Sequence, residues 1–126
     1  MKRDIETNDD LYLIMKTFYN YLLSDDDMRP IFVDVAKIDL EPHLQDLVLF
    51  WENMLFKPNG YRKPVMHLHL DIHKKYPFKA IHFEKWLKFL TQSVKDNFEG
   101  PKADELLQRA NHIALVMKHK TQQYGA

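Results

Sequence analysis

An all-α fold is predicted for this chain on three observations. Apolar residues recur at helical spacing almost throughout, and no run alternates as a half-buried strand would. Glycine occurs only at 60, 100 and 125, and several prolines fall where the periodicity breaks. Aromatic residues make up 13% of the chain, which suits helices with a bulky lining.

The first helix is predicted to open at Thr7 or Asn8, both good N-caps, with Asp9 and Asp10 favourably placed in its first turn. Its inward stripe is Leu11, Ile14, Met15, Phe18, Tyr19 and Leu22. Ser24-Asp25-Asp26-Asp27 ends it as a solvated capping turn and leads to a short turn through Pro30, Ile31 and Phe32. Asp39 or Leu40 precedes the next helix, which runs to about Lys57 with Leu44, Leu47, Val48, Trp51, Met54 and Leu55 inward. Pro58-Asn59-Gly60 stops it. A short segment around His69 follows, and Tyr76-Pro77 interrupts the chain again. A long helix from about Ala80 to Phe98 presents Phe83, Trp86, Leu87, Leu90 and Val94 on one face. Gly100 closes it and Pro101 opens the last helix, whose stripe is Leu106, Leu107, Ala110, Ile113, Ala114 and Met117. The sum is four substantial helices and two short ones.

At 126 residues the chain suits one domain, 1–126, with one core. Lys+Arg and Asp+Glu both total 18, so nothing in the charge favours nucleic acid or an anionic membrane as partner. Cysteine is absent, which removes disulfides, thiolate metal sites and a Cys-x-x-Cys-His attachment. The basic residues at the start precede no apolar run, and no stretch approaches a membrane span. A soluble cytoplasmic protein is expected.

His69 carries the chemistry. It sits in the run Tyr61-x-x-Pro64-x(4)-His69-x-x-Ile72-x(4)-Pro77-x(5)-Phe83-x-x-Trp86-Leu87: a histidine on a short apolar segment, a proline break, then an aromatic helix. One imidazole aimed at a flat apolar cofactor is a standard way to hold an iron porphyrin from one side. A lone histidine on an apolar face is more often a core residue, so the surrounding pattern bears the weight. His67, His73 and His82 lie near it in sequence, but the acidic partners of a zinc or di-iron bundle are not at Glu-x-x-His spacing.

The whole set resembles the truncated globins, and within them the group III subfamily. The matching parts are Phe18-Tyr19, Pro30-Ile31-Phe32, His43 followed seven residues later by Phe50-Trp51, then Tyr61, Pro64, His69-Leu70-x-Ile72, Pro77-Phe78, His82-Phe83-x-x-Trp86-Leu87 and Gln108-Arg109-Ala110. The double-glycine turns of the other groups are missing. In one respect the chain departs from the pattern: the family more often has its histidine three residues after the proline, where this chain has His67. The downstream spacing to Pro77 and Phe83 points to His69.

The resemblance implies a two-over-two helical sandwich around haem b, with His69 as the proximal iron ligand. Tyr19, His43 and Trp86 would face the distal side. Phe32, Leu47, Trp51, Trp86 and Leu90 would line the cofactor, and Ile113 or Met117 part of its floor. Arg62, Lys63, Lys74 and Lys75 are candidate propionate partners. The implied ligands are diatomic gases: oxygen, nitric oxide and carbon monoxide. A ligand that gains negative charge on binding is stabilised by donors in a dry pocket, and a phenol O–H and an indole N–H are such donors. Two alternatives stay open. One is redox turnover, as nitric oxide dioxygenase or in peroxidase-like fashion. It would need a reductase partner, because no flavin or nicotinamide motif is present. The other is b-type electron transfer with His43 ligating iron opposite His69.

Overall fold

The structure, a computed structural model, describes residues 2–35, 39–61 and 78–124. Four helices dominate: α1 (Asn8–Ser24), α2 (Leu40–Leu55), α3 (Ala80–Lys95) and α4 (Pro101–Tyr124). A π-helical turn, Ile31–Val35, lies between α1 and α2. No strand occurs among the described residues, only an isolated bridge between Arg3 and Phe98. The segment around His69, and with it Pro64, His67 and the four candidate propionate cations, lies outside the described residues.

The helices pack in a closed cycle. α1 lies against α2 and α3, and α4 against α2 and α3. One pair of helices therefore rests on another, which is the two-over-two sandwich. The core is where the predicted stripes meet: Leu11, Ile14, Met15 and Leu22 of α1, Leu44 and Leu55 of α2, Leu90 and Val94 of α3, and Leu106 and Ala110 of α4 are all buried. The α4 stripe, Ala103, Leu106, Ala110, Ala114, Met117 and Thr121, recurs at the three- and four-residue steps of one helix face.

Some boundaries shift from the sequence expectation. Thr7 caps α1, with its hydroxyl accepting from Asp10 N–H while Asp10 returns a bond to the cap backbone. α2 stops at Leu55, where Asn59 takes over: its amide donates to the Leu49 carbonyl and to Glu52. Lys102 from α4 donates to the Leu55 carbonyl at 2.6 Å, satisfying an end that the helix itself leaves open. α3 ends at Lys95, short of the expected Phe98; past it Asn97 N–H bonds to the Val94 carbonyl at the tighter three-residue step.

The N-terminal segment is bound into this frame by charge. Arg3 grips Asp10 at 2.6 and 2.8 Å through both guanidinium nitrogens. Asp4 caps α4, accepting from Lys102 and Ala103 N–H at 2.9 Å each. Gly100 makes room for it. The backbone there has φ +149°, and a Cβ would stand 2.7 Å from Asp4 Cβ.

Candidate functional site

Successive residues on a helix point about 100° apart, and α1 uses this at Phe18 and Tyr19. Both are buried, yet they face different neighbours. Phe18 turns to α3, where its ring meets Trp86 edge-on at 6.0 Å and 82°. Tyr19 turns to α2 and the π-helical turn, edge-on to His43 at 5.2 Å and to Phe32 at 5.3 Å. The two rings also meet each other at 5.5 Å. The result is a connected aromatic wall of Trp86, Phe18, Tyr19, Phe32 and His43, drawn from four parts of the chain.

The wall carries a polar pair. Tyr19 Oη lies 2.6 Å from His43 Nε2. A hydroxyl can donate to a bare imidazole nitrogen or accept from a protonated one, so the pair can run in either direction. Burial pushes the Tyr19 phenol well above its ordinary pKa, which keeps the proton on oxygen. Trp86 brings an indole N–H, a donor with no acceptor capacity, to the ring of Phe18.

The helices explain this placement. The fully inward stripe of α2 is Leu44, Val48, Trp51 and Leu55. His43 and Leu47 stand one position off that stripe and are half-buried, at the margin of the core. On α3, His82, Trp86 and Leu90 share a face at four-residue steps. His82 and Leu90 are buried and Trp86 between them is half-buried. The π-helical turn brings Phe32 over Tyr19. Such turns, with their wider hydrogen-bond step, are frequent at functional sites.

Among the remaining sequence candidates, Trp51 is buried and packs edge-on to Phe50 at 5.1 Å, with Tyr61 next at 5.6 Å. Tyr61 donates to Asp46 at 3.0 Å, and burial together with that carboxylate pushes its phenol up to about 12. Met117 is buried and Ile113 half-buried against the core. His82 belongs to helix capping: its Nδ1 accepts from Lys79 N–H at 2.8 Å, and burial lowers its pKa. His112 and His119 are exposed. The Asp25–Asp27 turn is less solvated than expected, because Lys85 reaches into it from α3. Phe18, which joins Tyr19 to Trp86, was read from sequence as a core residue and a family landmark. Its adjacency to Tyr19 was the available signal.

Residues 5–120 match the family of bacterial-like globins. The chain belongs to that family. It is 27% identical over 128 residues to the group 3 truncated hemoglobin of Campylobacter jejuni, covering 99% of this chain and 98% of the relative. The crystal structure of the group III truncated hemoglobin from Campylobacter jejuni superposes with a TM-score of 0.85 at 28% identity, covering 100% of this chain and 99% of that one. A group II truncated hemoglobin from Bacillus anthracis shares the fold at a TM-score of 0.70 and 24% identity, covering 91% of this chain and 85% of that one. Membership makes the chain a haem-binding globin, and the family's ligands are diatomic gases. No helix among the described residues is long and apolar enough to cross a membrane.

Proposed function

We propose that this chain binds haem b noncovalently, one per chain, through His69, and holds a diatomic ligand on the opposite face against Tyr19 and Trp86. Haem held by His69 would supply the iron that binds the gas. Phe32, Leu47, Trp51 and Leu90 enclose the group with apolar surface, which excludes water and raises the strength of every polar contact inside. The observation that carries the reading is the buried Tyr19 hydroxyl, protonated and hydrogen-bonded to His43 at 2.6 Å. With ligand present, His43 Nε2–H donates to Tyr19 Oη and Tyr19 O–H turns to the ligand. Each bond in such a chain polarises the next. Trp86 N–H adds a second donor. Two donors favour a ligand that gains negative charge, so oxygen is held tightly and released slowly, which suits storage or scavenging.

The same bond weighs against bis-histidine electron transfer. His43 would have to leave Tyr19 to reach iron, stranding a buried hydroxyl at a cost of about 1–3 kcal/mol. The test is the optical spectrum of the haem-loaded protein. An open ferrous site that responds at once to carbon monoxide is expected, with the haem extractable by acidified butanone. A stable low-spin ferrous spectrum lost in His43→Ala, or protein that stays colourless when expressed with ample haem, overturns it.

A further inference from the structure

The residue before Trp86 is held in an unusually specific way. Lys85 Nζ lies 2.9 and 3.1 Å from the two oxygens of Asp25 and 2.6 Å from Asp27 Oδ2. The side chains of Lys85 and Asp25 are only 23% and 16% exposed, so this is not the freely solvated pair that contributes almost nothing. Asp25 is itself fixed. Its carboxylate accepts from Asp27 N–H at 3.0 Å and Met28 N–H at 3.1 Å, and its own N–H bonds to the Leu22 carbonyl. Met28 is buried. Lys85 thus clamps the first half of α3 to the C-terminal end of α1.

The clamp and the aromatic contact constrain different motions. Trp86 meets α1 only through apolar surface, edge-on to Phe18 at 6.0 Å. Such a contact holds two helices at a distance but tolerates small rotation and sliding. The bonds at Lys85 tolerate them less, because one ammonium must stay within reach of two carboxylates, Asp25 and Asp27, at once. Residues 85 and 86 lie about 100° apart on one rigid helix. Limiting rotation at Lys85 therefore limits where the Trp86 side chain leaves the helix, and the edge contact with Phe18 restrains its ring, while Tyr19 is fixed by the core of α1.

We propose that Lys85 is a positioning residue: its clamp on Asp25 and Asp27 sets the orientation of the Trp86 indole N–H relative to the Tyr19 hydroxyl, and so tunes how strongly the pocket holds a negatively charged diatomic ligand. This rests on the reading of Trp86 as a ligand donor.

The test compares wild type, Lys85→Met, Lys85→Arg, Trp86→Phe and the Lys85→Met/Trp86→Phe double variant as haem-loaded proteins. Lys85→Met keeps the apolar stem and removes the charge. It should speed oxygen release by about threefold to tenfold, below the ceiling set by Trp86→Phe, and leave carbon monoxide release nearly unchanged. In the double variant it should add nothing to Trp86→Phe. Lys85→Arg, which can span both carboxylates, should restore most of the wild-type rate. A second readout is the pair of indole N–H resonances of the carbon monoxide complex, which come from the two tryptophans, Trp51 and Trp86. Lys85→Met should shift that of Trp86 and leave that of Trp51 in place. Equal movement of both resonances, or a Lys85→Met effect that persists in Trp86→Phe, means general loosening and overturns the proposal. If Lys85→Met leaves release unchanged while Trp86→Phe speeds it, Lys85 has no positioning role, yet Trp86 remains a donor. If Trp86→Phe changes nothing, the donor reading and the positioning role fall together. Should Lys85→Met not fold, Asp27→Asn, which removes only the more exposed half of the clamp, is read by the same criteria with a smaller expected change.

Discussion

Replacing Tyr19 by Phe isolates one bond. The Tyr19 ring is buried and touched edge-on by Phe18, Phe32 and His43, and a phenylalanine ring occupies the same space. The packing stays and only the hydroxyl goes. The loss has two parts. The His43 Nε2 partner at 2.6 Å is left to find water or another group, and the proposed ligand contact disappears. A hydrogen bond to a charged partner contributes roughly 1.5–3 kcal/mol, and each 1.4 kcal/mol is about a factor of ten. Oxygen release should therefore accelerate by about ten- to a hundredfold. Carbon monoxide gains far less negative charge on binding, so its release should hardly respond. Stopped-flow release of both gases from wild type and Tyr19→Phe makes the comparison internal to one protein. Unchanged oxygen release, or equal acceleration of both gases, would refute the reasoning and leave Tyr19 as a wall of the pocket.

Three further outcomes are expected. His69→Gly should abolish or severely weaken haem retention, with partial recovery on adding imidazole, while His67→Ala should do little; the reverse in haem titrations would assign the iron to the histidine three residues after Pro64. Asp10→Asn should cost about 1 kcal/mol in urea denaturation at neutral pH, because Arg3 loses a charged partner but is itself half exposed and screened. The Arg3 hydrogen bonds, opposed by burial and helped by Glu6 and Thr7 N–H, lower the Asp10 carboxyl from 3.8 to about 2. A depressed folded-state pKa contributes stability that is complete above about 3.8 and lost as pH falls through about 2, so the gap between wild type and Asp10→Asn should narrow over that interval and not at pH 5–7. Gly100→Ala should destabilise by about 1–3 kcal/mol with an unchanged denaturant slope, since its Cβ would press on an Asp4 side chain held by two backbone N–H bonds of α4; a neutral effect would mean that the segment yields freely.

Much of the fold can be read from periodicity alone. The α1 stripe became a buried face residue for residue and those of α2 and α4 mostly did, whereas on α3 Leu90 and Val94 are buried and Phe83, Trp86 and Leu87 half-buried; burying one face is the condition for an amphipathic helix to persist. Helix starts at Thr7 and Pro101 were legible because caps act locally. The end of α1 at Ser24 was legible too, but that of α2 was not: it stops at Leu55, whose carbonyl is taken by Lys102, 47 residues away. The same limit governs the site. Periodicity marks Phe18, Tyr19 and Trp86 as inward, and family resemblance offers them roles, but neither says what they touch. Only the packing of four helices sends Phe18 to Trp86 and its neighbour Tyr19 to His43, 24 residues on. It also turns Asp25, Asp27 and Lys85 from solvated charges into a clamp across 60 residues of sequence. Local patterns select which face is apolar, because that depends on each helix by itself. Partners across the core depend on how the helices cross, and no single segment carries that information.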